Sequence, residues 1–298
     1  MKNKLKDFKK IFHKKEQEFY TITPKISVVI NTYNADRLLE NTINSVIKAD
    51  EIIICDMHST DKTIAIAEKY NCKIYYHEKL PQPDPARNFA ISKASGDWVL
   101  ILDADEIVTE DLWNKLTDYA KAPYKNYYVL NLLFRTYFLN GFLKHLEPEY
   151  HPRFFKKGHL KYGDGKIHAK PVALNSEILN LKSDAKKMDL HIYHYTYENI
   201  EHLLNKWNIY TSEEVKKVDL KKLKNCNPSI LRILKHFISS FLQFFSRGAY
   251  IDGFRGFIWC LYRGIYKTSA YIKTLEAGLE WEKKQTLEVT FNKQKTLL

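Results

Sequence analysis

The sequence has few cysteines and none of the glycine-rich signatures that mark common nucleotide-binding and hydrolase folds. Its four cysteines are scattered among 298 residues, so reduced thiols are expected, as in a cytosolic protein. No Gly-x-Gly-x-x-Gly follows a predicted strand, and neither Gly-x-x-x-x-Gly-Lys-Ser/Thr nor Gly-x-Ser-x-Gly occurs. These absences argue against a dinucleotide cradle, a P-loop and a serine-hydrolase nucleophile elbow.

Long hydrophobic runs are also missing, although apolar residues are numerous enough to form a core. Hydrophobic residues make up 45% of the chain and aromatic residues 14%, as in globular proteins. No run approaches the roughly 18 apolar residues of a membrane-spanning helix. The basic segment 1–15 lacks the apolar centre of a signal peptide, and the 11 histidines form no set with zinc-site spacing.

Positive charge dominates, with 47 Lys and Arg against 35 Asp and Glu, a formal net charge of +12. This excess favours an anionic partner, either nucleic acid or a membrane surface. No helix-turn-helix, zinc-finger or RNP signature is present, and many basic residues interrupt the apolar segments 230–245 and 254–272. These segments are predicted to be amphipathic helices on a membrane surface, with packing against the rest of the chain as the alternative.

Short apolar runs alternate with segments of helical periodicity between residues 26 and 102. Strands are predicted at 26–30, 52–54, 73–76 and 98–102, and helices at 36–49, about 60–70 and 86–94. The alternation indicates an α/β fold with a mostly parallel sheet flanked by helices. Ligands of such sheets bind beyond the carboxyl ends of the strands.

Polar residues lie at those strand ends. Asn31, Thr32, Tyr33, Asp56, Asp103 and Asp105 all follow or end a predicted strand. Residues i and i+2 of an extended chain project to the same side, so the carboxylates of Asp103 and Asp105 are expected to face one point. Two oxygens on one side suit a divalent cation that also binds phosphate. A strand that simply ends in solvated acids is the alternative.

Four motifs, in this order, resemble the inverting family 2 of nucleotide-sugar glycosyltransferases, which have the GT-A fold. They are SVVINTYN at 27–34, the acidic and hydroxyl residues of 56–63, ARNFA at 86–90 and GDWVLILDADE at 96–106. The segment 193–197 and its following helix are similar to the branch that builds lipopolysaccharide and lipooligosaccharide core. The resemblance implies sugar transfer, with inversion, from a nucleoside-diphosphate sugar (a UDP-sugar is favoured) to a bacterial surface glycolipid.

The resemblance also implies which residues bind the donor. Tyr33 would stack on the base, with Asn31 and Thr32 supplying nearby contacts. Asp56 would hydrogen-bond the base or ribose, although it could instead cap the next helix. Arg87 would lie against the base or a phosphate, with a solvated helix face as the alternative.

A divalent metal, Mg²⁺ or Mn²⁺, is the cofactor that the resemblance implies. Asp105 would ligate it between the donor's phosphates, and Asp103 would contact the ribose and is a second candidate metal ligand. His194 is a further candidate ligand, with an ordinary packed histidine as the alternative. The metal would stabilise the leaving nucleoside diphosphate as a Lewis acid.

The general base that an inverting transfer needs is not evident. A His-Glu pair is expected after a glycine-rich stretch, but residues 163–169 read GDGKIHA, with Ala169 in place of the glutamate. The candidate bases are Asp164, Glu149 and His168. Asp164 ranks first because its flanking glycines would let it reach into a site, although the same glycines are typical of a turn.

The sequence therefore predicts three parts: a basic amphipathic segment 1–24, a GT-A catalytic domain 25–195 and a helical, membrane-associating extension 196–298. We expect a cytoplasmic enzyme on the inner face of a bacterial membrane, with a nucleoside-diphosphate sugar and a glycolipid as partners and no nucleic acid. A non-catalytic relative that binds a nucleotide sugar but lacks the base is the alternative function. A basic nucleic-acid-binding protein is a remote one.

Overall fold

The computed structural model describes residues 23–79, 84–143, 145, 149–163, 171–181, 189–216, 218 and 228–295. Contacts divide the chain into two compact units. Unit 1 comprises Met1–Phe134 and Tyr150–His194, and unit 2 comprises Arg135–Glu149 and Tyr195–Leu298.

Strands and helices alternate along the first hundred residues, as predicted. The strands in chain order are β1 Ile26–Thr32, β2 Glu51–Asp56, β3 Lys73–Tyr76, β4 Trp98–Asp103, β5 Glu106–Val108, β6 Val129–Thr136, β7 Glu149–Lys156, β8 Leu160–Lys161, β9 Val172–Ala173, β10 Ile178–Asn180 and β11 His191–His194. The first four helices are α1 Leu39–Ser45, α2 Thr63–Lys69, α3 Asp84–Lys93 and α4 Glu110–Lys121. The first of them is shorter than the predicted 36–49 because turns precede and follow it.

The main sheet has the order β3-β2-β1-β4-β7-β6-β11-β5, with β10 beside β6. Strands β3, β2, β1 and β4 are parallel, whereas β7 runs antiparallel to β4. The register pairs Asn31 with both Cys55 and Asp103, so the carboxyl ends of the parallel strands meet at one edge.

Helices cover both faces of the parallel strands, which explains why β1 and β4 are apolar at consecutive positions. Val28 and Ile30 pack in one cluster with residues of α1 and α4. Val29 and Ile101 face the other way and pack with residues of α3. Side chains alternate along a strand, so Asn31 and Asp103 lie on the α3 side.

Unit 2 is mainly helical, with α5 Ile200–Lys216, α6 Ile230–Ser246, a 3₁₀ turn Ala249–Asp252 and α7 Gly253–Lys295. Phe138, Trp207 and Trp259 form its aromatic core. A Cβ at Gly264 of α7 would lie 2.9 Å from the ring of Phe237, so glycine permits the close packing of α6 on α7. Among the described residues, no helix is both long and apolar enough to cross a membrane.

Candidate functional site

Asp56 organises the loops that follow β1 and β2. Its buried carboxylate accepts hydrogen bonds from Thr32 Oγ1 (2.7 Å), Ser59 N (2.8 Å) and Ser59 Oγ (2.6 Å). Ser59 Oγ in turn accepts from the backbone N of Asn34 (2.8 Å), which is in the left-handed region at φ 46°. Asp61 contacts the first turn of α2, because its carboxylate accepts a hydrogen bond from the backbone N of Thr63 (3.0 Å). These contacts fix the backbone on either side of Tyr33.

Tyr33 is the first exposed residue after β1, with 41% of its surface accessible. The Nζ atom of Lys79 lies 3.6 Å from the centroid of its ring, a cation–π contact. An exposed aromatic face beside a cation is suited to a nucleotide, since the ring can stack on a base and the ammonium can pair with phosphate. The sequence analysis did not identify Lys79, because nothing in its local sequence indicates that it meets Tyr33.

Asp103 is held by two arginines, the buried Arg153 and the largely buried Arg87. Arg87 Nη2 donates to both of its oxygens (2.7 and 3.0 Å), and Arg153 Nη2 donates to Oδ2 (3.0 Å). Arg153 Nη2 also donates to Oε1 of the fully buried Glu106 (2.9 Å), whose Oε2 accepts from the backbone N of Asp103 (2.8 Å). The four side chains form one charged cluster at the carboxyl end of β4.

The charges in this cluster shift each other's ionisation. Burial opposes the charge on Asp103, but Arg87 and Arg153 outweigh it and hold the pKa of Asp103 well below its usual value. Burial raises the pKa of Glu106 to about 7, although Arg153 acts in the opposite direction. The two guanidinium groups therefore keep Asp103 ionised and fix its orientation.

Asn31 has unsatisfied polar atoms beside this cluster. It is 7% exposed, and neither its side-chain nitrogen nor its oxygen has a hydrogen-bond partner among the described residues. Its register with Asp103 places the two side chains on the same face of neighbouring strands. A buried polar group without a partner costs about 1–3 kcal/mol, which indicates a place where a polar ligand group would bind.

Asp105 lies beside His194, although the two residues are far apart in the sequence. Strand β11 pairs with β5 and puts His194 opposite Glu106, and His194 Nε2 is 3.5 Å from Asp105 Oδ1. Burial lowers the pKa of His194, but the hydrogen bond to Asp105 and the charge of Glu106 outweigh it and raise that pKa. Within the described part of the chain, no group of three or more His, Cys, Asp and Glu could hold a metal.

The structure gives the two aspartates different contacts, which the sequence analysis did not expect. The expectation of an extended Asp-x-Asp segment is wrong, because β4 ends at Asp103 and residues 104–105 form a turn. Asp103 therefore contacts arginines and Asp105 a histidine. Arg153 and Glu106 were missed as site residues. No local pattern marks Arg153, because the antiparallel pairing of β7 with β4 brings it to Asp103 and the sequence does not specify the register of that pairing.

The candidate bases cannot be placed in this geometry. Asp164 and His168, together with Ala169, lie outside the described residues. Glu149 begins β7, but its side chain is likewise outside the description.

Comparisons with known proteins agree on the kind of domain. The family model described as Glycosyl transferase family 2 matches residues 27–176. An uncharacterized glycosyltransferase of Rickettsia bellii (strain RML369-C) is 30% identical over 250 residues, which are 80% of this chain and 81% of that protein. A second, from Rickettsia conorii, is 31% identical over 255 residues, 80% of this chain and 85% of that protein.

Among solved structures, S. aureus TarS 1–349 in complex with UDP-GlcNAc is similar at 21% identity and a TM-score of 0.47. The similarity covers 65% of this chain and 67% of that one. The family match spans β1 from Ser27 onward, β2 to β4 and the helices between them, together with Asn31, Tyr33, Asp56, Asp103 and Asp105, whereas His194 lies outside it. The match confirms the predicted α/β fold class.

Proposed function

This chain belongs to glycosyl transferase family 2, and we propose that it transfers one sugar from a UDP-sugar to a bacterial surface glycolipid such as lipopolysaccharide core, with inversion. One observation carries the proposal. Asn31 and Asp103 are paired at the carboxyl ends of β1 and β4, and Tyr33 and Asp105 follow within two residues of those ends, all inside the matched region. This is the edge at which open α/β sheets bind ligands. The choice of uridine and of a lipopolysaccharide-type acceptor rests on the sequence motifs.

The donor's nucleoside is proposed to bind between Tyr33 and Asp103. The exposed ring of Tyr33 offers a stacking face, and the buried amide of Asn31 offers a donor and an acceptor that the described residues leave unused. Asp103 is orientated by Arg87 and Arg153 and is suited to accept from ribose hydroxyls. Asp56 is proposed to act mainly by fixing the loop that carries Tyr33.

A divalent cation, Mg²⁺ or Mn²⁺, is proposed to bind Asp105 and His194. The donor set fits, since one carboxylate oxygen and one imidazole nitrogen lie 3.5 Å apart, and such cations commonly take their other ligands from substrate phosphates and water. Asp103 would lie beside the cation and contact the ribose. When bound, the cation would stabilise the charge of the leaving diphosphate.

The transfer itself is proposed to be a single displacement. A base removes the proton from the acceptor hydroxyl as its oxygen attacks the anomeric carbon, and the bond between that carbon and the diphosphate oxygen breaks with its electron pair leaving on UDP. Asp164 is the proposed base, ahead of Glu149 and His168. If Ala169 instead marks a non-catalytic relative, the protein would bind the donor without transferring the sugar.

We propose that the protein lies on the inner face of the cytoplasmic membrane, because the proposed acceptor is a lipid-linked molecule. Residues 25–195 are proposed as the catalytic domain and 196–298 as the membrane-associating extension. The basic, apolar helices of unit 2 support this division.

Calorimetric binding of UDP, first with Mn²⁺ and then with EDTA, tests the donor site. We expect Mn²⁺-dependent binding that Asp105→Ala abolishes, because the cation loses its carboxylate. Asp118→Ala is the matched control, since Asp118 is an exposed acid whose ion pair is with Lys121 of the same helix. Equal binding with EDTA would refute the metal assignment, and no binding in either condition would refute the donor assignment. Release of UDP from a panel of UDP-sugars with acceptor then separates a transferase from a non-catalytic binder.

A further inference from the structure

Helix α6 is apolar on its solvent-exposed side as well as on the side that packs against α7. Six large apolar side chains, repeating at helical spacing, are 49–78% exposed: Leu231, Leu234, Ile238, Phe241, Leu242 and Phe245. Phe237, on the packed side, lies against Gly264. A surface helix in water normally turns polar residues outward, so an exposed apolar face of this extent indicates a non-aqueous partner.

A groove between α6 and α7 lies within this apolar surface. It encloses a cavity of about 350 Å³, lined by Phe237, Ile238, Phe241, Phe257, Cys260 and Leu261. Phe254, which is 72% exposed, extends the apolar surface along α7. The volume is within the roughly 300–1,000 Å³ of small-molecule sites, but all the lining side chains are hydrocarbon or sulfur. Such a lining selects a hydrocarbon ligand.

Basic side chains accompany this apolar surface. Residues 228–272 contain six Lys and Arg against a single Asp. Arg232, Lys235 and Arg247 are exposed on α6 or directly after it. An apolar helix face with basic flanks is typical of helices that lie in the interface of an anionic bilayer.

We propose that the α6–α7 groove binds one hydrocarbon chain of an anionic bilayer lipid, while α6 lies in the plane of the membrane interface. This inference rests on the membrane association proposed above and names the surface that makes the contact.

Charge favours an anionic lipid as the occupant of the groove over two alternatives, the segment 1–22 of this chain and a second copy of the protein. Residues 1–22 of the chain contain seven Lys against three acidic residues, so packing this segment over the groove would place like charges together. A second copy of the same face would oppose Arg232, Lys235 and Arg247 to their own counterparts. An anionic bilayer supplies both the hydrocarbon and the opposite charge.

Flotation of the full chain with lipid vesicles tests the surface. Vesicles of equal parts phosphatidylcholine and phosphatidylglycerol are expected to bind the protein, and vesicles of phosphatidylcholine alone at least about tenfold more weakly. Phe241→Glu should weaken binding to the anionic vesicles by about tenfold or more, because it replaces an exposed ring, proposed to enter the bilayer, with a negative charge. Ile209→Glu is the matched control, since Ile209 is a similarly exposed apolar residue of α5 outside the groove lining.

Calorimetry with lysophosphatidylglycerol, below its critical micelle concentration, tests the groove itself. The wild-type chain should bind one molecule. Cys260→Phe, which fills the cavity from its buried wall, should abolish this binding, and Cys260→Ala should retain it. If circular dichroism shows that Cys260→Phe is unfolded, Leu261→Asp at the exposed part of the lining provides the same test.

Vesicle binding that Phe241→Glu leaves unchanged would overturn the proposal. So would lysolipid binding that survives both Cys260→Phe and Leu261→Asp. Loss of vesicle binding on deletion of residues 1–22, with Phe241→Glu still bound, would make that segment the contact. Dimers that form without lipid and that Phe241→Glu dissociates would identify a second copy as the occupant.

UDP binding by the same variants distinguishes failure of the lipid proposal from failure of the proposed function. A chain that binds lipid but not UDP would support the lipid-binding groove and refute the proposed transferase.

Discussion

The parallel strands of unit 1 carry acidic side chains at both ends, and the two ends differ in how those acids are satisfied. At the amino end, Glu51 accepts from Ser27 Oγ (2.5 Å), from Ser95 N and Oγ (2.5 and 2.9 Å) and from Lys73 (2.7 Å). At the carboxyl end, Arg87 and the buried Arg153 hold Asp103, and the side-chain amide of Asn31 beside it has no partner among the described residues. Local hydrogen bonds satisfy the acid at the first end, whereas the second end has polar atoms of Asn31 that the described residues leave unpartnered, which is the feature on which the proposed donor site depends.

Replacing Arg153 is expected to have the largest effect on stability, because it removes a buried cation. Arg153→Met would leave Glu106 buried without its guanidinium partner, which costs about 3–5 kcal/mol for a broken buried ion pair. Lys73→Met removes the cation at the other end, where Lys73 is 54% exposed, and should cost at most about 1 kcal/mol. Urea unfolding measures both.

The double variant Arg153→Met/Glu106→Gln sharpens this result. Glu106→Gln replaces the group that Arg153→Met leaves buried without its partner, and should recover part of the lost free energy of unfolding. Equal costs for Arg153→Met and Lys73→Met would contradict the distinction between the two ends.

Glu51→Gln should destabilise the protein by about 2–3 kcal/mol at neutral pH. The hydrogen bonds of Lys73, Ser27 and Ser95 outweigh burial and lower the pKa of Glu51 from its usual 4.5 to about 2, and each unit of such a shift corresponds to about 1.4 kcal/mol. We discount the full value because Lys73 is half exposed.

The same shift fixes how this contribution depends on pH. A lowered carboxyl pKa gives stability that is fully present above the unfolded value near 4.5 and is lost as pH falls towards 2. The difference between wild type and Glu51→Gln, measured by urea unfolding, should therefore shrink through that window. A difference that stays constant down to pH 2 would rule out an ionised Glu51 as its source.

Asn31→Ala is expected to have the smallest effect on folding, within about 1 kcal/mol, because relief of the buried amide without partners offsets the packing lost with the side chain. Its effect on UDP binding should be larger, a loss of about tenfold for one hydrogen-bonded group. Thermal melts and calorimetry on one preparation give both numbers. A strongly destabilised variant with unchanged UDP affinity would mean that Asn31 is a structural residue.

The fold could be predicted from the sequence because its parallel half depends on local patterns. The apolar runs that form β1, β2 and β4 are short and bounded, and the helices between them show their own periodicity. The ends of α1 and α2 could not be predicted as well, because capping contacts and turns determine where each helix begins and ends. Asp61, for example, binds the first turn of α2, whereas Ser59 contacts the preceding loop.

The site could be predicted only as far as strand ends reveal it. Asn31, Asp56 and Asp103 follow from that rule. Arg153 does not, because it reaches Asp103 through the antiparallel pairing of β7 with β4, and the sequence does not specify which residues that pairing aligns. The different surroundings of Asp105 follow from a turn that interrupts the alternation of the strand.

The position of β11 in the sheet has a consequence for synthesis of the chain. This strand lies between β6 and β5 and brings His194 to Asp105, which leaves the ribosome about 90 residues earlier. At a synthesis rate of roughly 5–20 residues per second, about 5–18 s pass between the synthesis of Asp105 and that of His194. A nascent chain can thus form β1 and β4, which carry Asn31 and Asp103, while its proposed cation site is still incomplete. Catalytic competence would then begin only when β11 enters the sheet.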